Sequence, residues 1–167
     1  MSFQPISIQV FTQRLMELIG TLLEVPDEPG TVQVDQVLCT LSIAFATLQE
    51  TGTPFNDGAF LDALKMQPYP AAFIAGVESL LAMRRASAAF DVGSRYRILE
   101  HPDPLLLIER TAADGGERAL ILHNVGDAAV PLELPPGRWN HLSCPCPVAD
   151  GEITTLEPLQ YVWIVER

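Results

Sequence analysis

Hydrophobic residues in the first half of the chain recur at the three- and four-residue spacing of amphipathic helices. This spacing predicts helices over residues 8–25, 34–50, 59–66 and 71–88. The first of them places its apolar side chains on one stripe, at Val10, Phe11, Leu15, Leu18, Ile19, Leu22 and Leu23. The second is apolar nearly all round, which predicts a buried helix. Asn56 or Asp57 is expected to cap the third.

After residue 91, apolar residues alternate with polar ones or form short β-branched runs between turn signals. Seven strands are predicted, over residues 94–100, 105–111, 117–124, 129–134, 138–142, 152–156 and 160–166. Short strands at a spacing of about ten residues are typical of an antiparallel sandwich or barrel. The pattern therefore predicts an α+β protein, with a helical region over residues 1–90 packed on one sheet of a Greek-key β-sandwich over residues 91–167.

Composition fits a globular protein, because hydrophobic residues make up 48% of the 167 residues and charged residues 19%. The net charge is −11, from 21 acidic and 10 basic residues. Such a charge repels nucleic acid and anionic membranes, so we expect neither as a partner. An acidic surface most often serves solubility, and it leaves a neutral sugar or another protein open as a partner.

The three cysteines, at Cys39, Cys144 and Cys146, do not form the even-numbered framework of a disulfide-rich secreted domain. Cys144-Pro145-Cys146 is interpreted as a proline-stiffened turn with two ordinary thiols, because zinc sites usually need four ligands and a C-x2-C step. No metal or other cofactor is expected. The N-terminus lacks a basic segment followed by an apolar one, so we expect no signal peptide and a cytoplasmic location.

Four sequence phrases carry a resemblance to a known family. Residues 80–90 read LLAMRRASAAF, residues 118–125 read RALILHNV, residues 137–139 read GRW and residues 156–164 read LEPLQYVWI. In this order, the phrases resemble the last barrel helix and the C-terminal β-domain of the α-amylase glycoside hydrolase family. The sucrose phosphorylase-like branch is the most similar, and the resemblance covers residues 75–167.

In that family, an Asp nucleophile, a Glu acid/base and a second Asp act on a (β/α)8 barrel. A barrel of this kind needs about 250 residues, and no acidic residue of this chain lies in a matching motif. Retaining hydrolysis also needs two carboxylates roughly 5 Å apart, which nothing in the sequence predicts. The resemblance therefore implies a non-catalytic accessory module with a structural or oligomerisation role. A protein-interaction module, acting through the helical half, and a carbohydrate-binding sandwich are the alternatives.

Aromatic residues are the candidates for a sugar-stacking surface, and they lie at Tyr96, Trp139, Tyr161 and Trp163. Strand alternation puts Tyr161 and Trp163 on one face together with Val165, which predicts core packing for that face. Trp139 follows a Pro-Pro-Gly turn and is expected to be exposed. Trp139 and Tyr96 are therefore the predicted carbohydrate contacts.

The three histidines, His101, His123 and His141, accompany no nucleophile motif such as G-x-S-x-G. They are interpreted as satisfied surface or rim residues, and no catalytic residue is assigned. The apolar helices over residues 34–50 and 71–88 need a cover, either the N-terminal helix or another chain. Because large exposed apolar patches are rare on monomers, we expect a homodimer or a partner protein at these helices.

Overall fold

The computed structural model describes residues 7–23, 31–50, 54–101, 104–143, 146–149 and 151–166. Four helices come first, α1 (Ile8–Leu23), α2 (Thr31–Ala46), α3 (Asp57–Lys65) and α4 (Ala71–Arg85), and a 3-10 turn (Ala88–Phe90) follows. The strands are β1 (Arg95–Leu99), β2 (Leu105–Thr111), β3 (Arg118–Asn124), β4 (Val130–Pro131), β5 (Asn140–His141), β6 (Thr155–Leu156) and β7 (Tyr161–Glu166). The predicted α+β class, helices followed by antiparallel strands, is confirmed.

Five of the strands form one antiparallel sheet in the order β1-β2-β3-β7-β5, and β4 pairs with β6 in a second, two-stranded sheet. In the middle of the large sheet, Ile121 lies opposite Ile108 on one side and Trp163 on the other. Strands β1 and β5 lie at its two edges, so the described sheet is open and does not close into a barrel.

The central strands of the large sheet, β2, β3 and β7, are buried on both faces. One face packs against the helices through Ile108, Ala119, Ile121, Trp163 and Val165. The opposite face packs under the small sheet and its loops through Leu105, Leu107, Leu120, Leu122 and Ile164. Strands buried on both faces read as continuous apolar runs, which explains why residues 119–122 of β3 are all apolar.

Helix α1 covers part of α2. The N-terminal helix therefore supplies part of the cover that the sequence analysis expected for the apolar helices. Its Leu15 and Ile19 are buried in the same cluster as Leu41 and Phe45 of α2. The exposed large hydrophobic side chains among the described residues are Val10, Met66, Val92, Ile98 and Val125. Association through the helices stays a prediction.

Two helices end earlier than the sequence pattern predicts. Helix α2 ends at Ala46, whose carbonyl accepts a hydrogen bond from Arg110 Nη1 at 2.8 Å. Helix α4 ends at Arg85, and the Ser87 hydroxyl then accepts from the Ala89 N–H at 3.1 Å at the start of the 3-10 turn. In both places a long-range or capping contact stops the helix, although the apolar spacing continues.

Strands β4, β5 and β6 are each two residues long, shorter than predicted. The backbone in this part of the chain is rich in proline, with Pro131 in β4 and Pro135 and Pro136 just after it. Proline has no N–H to donate to a neighbouring strand, so pairing stops early. The second sheet is therefore a small cover rather than an equal partner of the first.

The cap of α3 is Asn56, one of the two predicted candidates, and its Oδ1 accepts from the Ala59 N–H at 3.0 Å. We expect Asn56→Ala to lower the free energy of unfolding by about 1 kcal/mol, because an N–H at the helix start loses its acceptor. Urea denaturation measures this. The exposed Gln67→Ala is the control and should stay within about 0.5 kcal/mol of wild type; equal losses in both variants would contradict the cap's role.

Candidate functional site

A serine and a histidine meet in the centre of the molecule, between α2 and the large sheet. Ser42 Oγ lies 2.7 Å from His123 Nε2, and Trp163 Nε1 donates to the same oxygen at 2.7 Å. The other ring nitrogen, Nδ1, lies 3.3 Å from the Leu106 carbonyl oxygen. One helix and three strands thus share one hydrogen-bonded network.

The partners of His123 determine its tautomer. The Leu106 carbonyl can only accept, so Nδ1 carries the proton and Nε2 accepts from the Ser42 hydroxyl. Burial lowers the pKa of His123 from 6.5 to about 4, and the bond to the Leu106 carbonyl acts in the opposite direction. At neutral pH the imidazole is therefore uncharged, and each polar group of the network has a partner.

Although a serine that donates to a histidine is the first half of a hydrolase triad, this pair is closed to substrate. Ser42 and His123 are both 0% exposed, and a nucleophile must reach the reacting atom. The pair therefore stabilises the interface between the helices and the sheet. The prediction of surface or rim histidines is wrong for His123; His141 is half-buried, with Nε2 3.1 Å from Glu152 Oε1.

A buried arginine connects three elements at the end of α2. Arg110 is 1% exposed and donates to the carbonyls of Ala46 and Ala89 and to Ser94 Oγ, at 2.7–2.8 Å. Its guanidinium carbon lies 5.1 Å from the Phe90 ring centroid. Burial lowers its pKa to about 10, the Arg84 charge acts in the same direction and Tyr96 in the opposite one. Arg110 thus stays charged at neutral pH, held by carbonyl oxygens at a helix C-terminus.

Arg84 forms the second buried charge cluster. Its Nη1 donates to Asp57 Oδ1 at 2.8 Å, its Nη2 contacts Glu50, and its guanidinium carbon lies 5.4 Å from the Phe55 ring centroid. Burial raises the pKa of Asp57, and the positive charge of Arg85 partly opposes this. Because Glu50 and Asp57 both pair with Arg84, the cluster fixes the end of α4 rather than offering an acid and a base to a substrate.

Trp139 and Tyr96, the predicted carbohydrate contacts, lie on opposite faces of the large sheet. Tyr96 is half-buried against the helix-side cluster, whereas Trp139 belongs to the cluster under the small sheet. The expected exposure of Trp139 is wrong, because the residue is only 5% exposed. Its Nε1 donates to the Pro135 carbonyl at 3.0 Å, and the Arg118 guanidinium carbon lies 5.0 Å from the ring centroid. The two aromatics therefore do not form one platform, and sugar contact stays a prediction.

Trp139 nevertheless lines a cavity on the sheet face away from the helices. The cavity measures about 620 Å³ and is lined by residues 132–140, 147–149, 151, 153 and 154. Its walls combine half-buried apolar side chains, such as Val148 and Ile153, with polar ones, such as Arg138 and Asn140.

The cysteines differ from the sequence expectation in one respect. Cys39 is a free, buried thiol, and burial raises its pKa to about 11. Cys146 is disulfide-bonded, so the interpretation as an ordinary thiol is wrong for this residue. Cys144 lies outside the described residues. Within the described part of the chain, no three His, Cys, Asp or Glu side chains lie close enough together to hold a metal ion.

No helix in the described ranges is both long enough and apolar enough to cross a membrane.

Comparison with solved structures finds a likeness to a known enzyme. No protein-family model matches the chain. No curated protein matches it either. The structure is similar to that of an α-glucosyl transfer enzyme, XgtA, with a TM-score of 0.47 and 14% sequence identity. The likeness covers 97% of this chain and 44% of that one, so this chain spans less than half of the enzyme's length. At this level of similarity, the likeness supports no conclusion about activity.

Proposed function

We propose that this chain is a non-catalytic accessory module, related to the C-terminal region of α-amylase-family carbohydrate-active enzymes, with a structural or oligomerisation role. The observation that carries the proposal is that central residues of the family-like phrases, Leu80, Leu81, Phe90, Asn124 and Trp163, are used for packing and internal hydrogen bonding. The described residues of these phrases do not form an arrangement suited to catalysis.

The phrase at residues 80–90 joins the helices to the sheet. Leu80 and Leu81 are buried in the helix-side cluster. Phe90 stacks on Trp163 of β7, with ring centroids 4.7 Å apart and planes at 3°. Aromatic pairs of this kind stabilise a packed interface beyond the area they bury. The phrase is therefore a structural junction between the two halves of the chain.

Asn124, in the phrase at residues 118–125, also joins two parts of the structure, on the other side of the sheet. It is 0% exposed; its Nδ2 donates to the carbonyls of Ala128 and Leu156 at 2.9 Å, and its Oδ1 accepts from the Gly126 N–H at 2.9 Å. An amide with three partners fixes the turn after β3 against the small sheet.

The groups that resemble catalytic machinery are occupied by internal contacts. The Ser42–His123 pair is fully buried, and Glu50 and Asp57 both pair with Arg84. Glu109 lies beside Arg97 and Arg118. These contacts support a structural role for the chain.

The proposal predicts no turnover of glycosides. The purified chain, incubated with maltose, sucrose and p-nitrophenyl α-glucoside, should release no more glucose or nitrophenol than buffer, because Ser42, His123, Glu50 and Asp57 are buried in internal contacts and a nucleophile must reach the substrate. An active α-glucosidase is the positive control. Activity that stays with the protein through a second purification, and that Ser42→Ala abolishes, would contradict the proposal.

Sedimentation velocity over a range of protein concentrations tests the oligomerisation role. A homodimer through the helices should show a concentration-dependent shift towards the dimer. If the chain is a monomer at every concentration, the oligomerisation role is wrong and the structural role still stands.

A further inference from the structure

We propose that the buried cluster of Arg84, Glu50 and Asp57 is a proton-uptake site, which binds one proton on Asp57 as the solution turns acidic and then holds the start of α3 more firmly on the end of α4. The three side chains join three helices, since Glu50 follows α2, Asp57 begins α3 and Arg84 lies in the last turn of α4. This device goes beyond the accessory role proposed above and does not depend on it.

The cluster buries more negative charge than positive charge. Arg84, Glu50 and Asp57 are each 6–8% exposed, and the single guanidinium contacts both carboxylates. Residues 51–53, which follow Glu50, read Thr-Gly-Thr and bring no further charge. Because one guanidinium balances only one carboxylate, ionisation of both acids leaves one negative charge in excess away from water. Protonation of a carboxyl group is the usual way in which a protein avoids such a buried charge.

Asp57, rather than Glu50, is the group that takes up the proton. Its Oδ1 accepts from Arg84 Nη1 at 2.8 Å, but its Oδ2 is buried and has no hydrogen-bond partner among the described residues. A charged oxygen without a donor is more costly to bury than a neutral hydroxyl. Burial raises the pKa of Asp57 above its ordinary value of 3.8, and the charge of Arg85 opposes this.

The other charged groups around Asp57 do not supply the missing positive charge. Arg85 is exposed, so water and salt screen its charge. Asp91 lines the same cavity as the cluster and is itself acidic. Lys65 and Glu78 pair with each other in the contact between α3 and α4. The positive end of the α3 dipole favours the carboxylate, so the proton is taken up in acid and not at neutral pH.

The sign of the effect follows from where the proton binds first. Because the pKa of Asp57 is higher in the folded chain than its ordinary value, the folded chain takes up this proton before the unfolded chain does. The stabilisation is complete below pH 3.8 and is lost as the pH rises through the folded pKa. His123 acts in the opposite direction, since burial lowers its pKa. Acid therefore strengthens the junction of α3 and α4 while it weakens the interface between α2 and the sheet.

NMR titration of the side-chain carboxyl carbons in the full chain tests the site directly. We expect the Asp57 carboxyl to titrate with a midpoint above 3.8. Glu50→Gln removes the competing negative charge and leaves Arg84 to Asp57 alone, so this midpoint should shift to lower pH. Asp62→Asn, at an exposed position of the same helix, is the matched control and should leave the midpoint unchanged. A wild-type midpoint at or below 3.8 overturns the proposal, and so does an unchanged midpoint in folded Glu50→Gln.

Urea denaturation of Asp57→Asn provides a second, independent test. Asparagine keeps the shape of the side chain and an acceptor for Arg84 but carries no charge, so it stands in for the protonated acid. We expect this variant to unfold at the same urea concentration as wild type or a higher one at pH 7.5, and the difference to shrink towards pH 4. Asp62→Asn should follow wild type at both pH values, and far-ultraviolet circular dichroism confirms that each variant is folded. Lower stability of Asp57→Asn at pH 7.5 would show that Arg84 needs both carboxylates charged, and would overturn the proposal.

Discussion

Replacing Arg110 by Met is expected to lower the free energy of unfolding by about 3–5 kcal/mol. The substitution keeps the length of the side chain but removes the three hydrogen bonds to Ala46, Ala89 and Ser94. The two carbonyls then lie buried without a donor, and each such group is destabilising. A loss of this size is a large part of the stability of a small protein.

Urea denaturation of wild type and of the Met and Lys variants at this position measures the effect. Arg110→Lys keeps the charge but not the planar fork, so we expect an intermediate loss. The exposed Arg95→Met provides the matched control and should change stability by less than about 0.5 kcal/mol. If the Met variant at position 110 were as stable as wild type, the buried guanidinium would contribute nothing that an apolar side chain of equal length does not.

Acidification from pH 6.5 to pH 4 is expected to remove about 3 kcal/mol of stability through His123 alone. The pKa of His123 falls from 6.5 to about 4 in the folded protein because of burial. As the pH falls through this window, the unfolded chain takes up the proton first, so stability decreases. Below the folded pKa both states are protonated and this contribution levels off.

Chemical denaturation at a series of pH values, in wild type and in His123→Gln, isolates the effect. Glutamine keeps an acceptor for the Ser42 hydroxyl but does not titrate, so the variant should be less stable at pH 7 and should lose less stability between pH 6.5 and pH 4. The exposed Gln67→Ala removes no titrating group and should retain the wild-type slope. Parallel pH profiles for wild type and His123→Gln would refute the assignment of the lost stability to His123.

The bounds of the periodic segments were predictable because the same pattern of apolar positions continues along the length of each segment. Helix α4 and strands β2, β3 and β7 lie within about three residues of their predicted bounds. The second sheet was predicted too long, since proline and the loops around β4 and β6 limit pairing to two residues each.

The candidate site was less predictable, because a sequence pattern shows on which side of a strand a residue lies but not what covers that side. Alternation along β3 puts His123 with Ala119 and Ile121, the face that the helices cover. That signal was available, and it would have moved His123 from the rim to the core. The inward position of Trp139 had no comparable signal, since it depends on the Pro135 carbonyl and on Arg118 folding over the ring.

The sequence by itself determined the order of helices and strands, the acidic net charge and the family-like phrases, because these depend on local spacing and composition. Only the tertiary structure decided that Ser42 meets His123 across 81 positions of the chain, and that Arg110 holds the end of α2 from 64 positions away. The physical reason is that such contacts depend on how the layers pack. The hydroxyl, imidazole and guanidinium groups hold the fold together in this way only where the helices and the sheet around them exclude water.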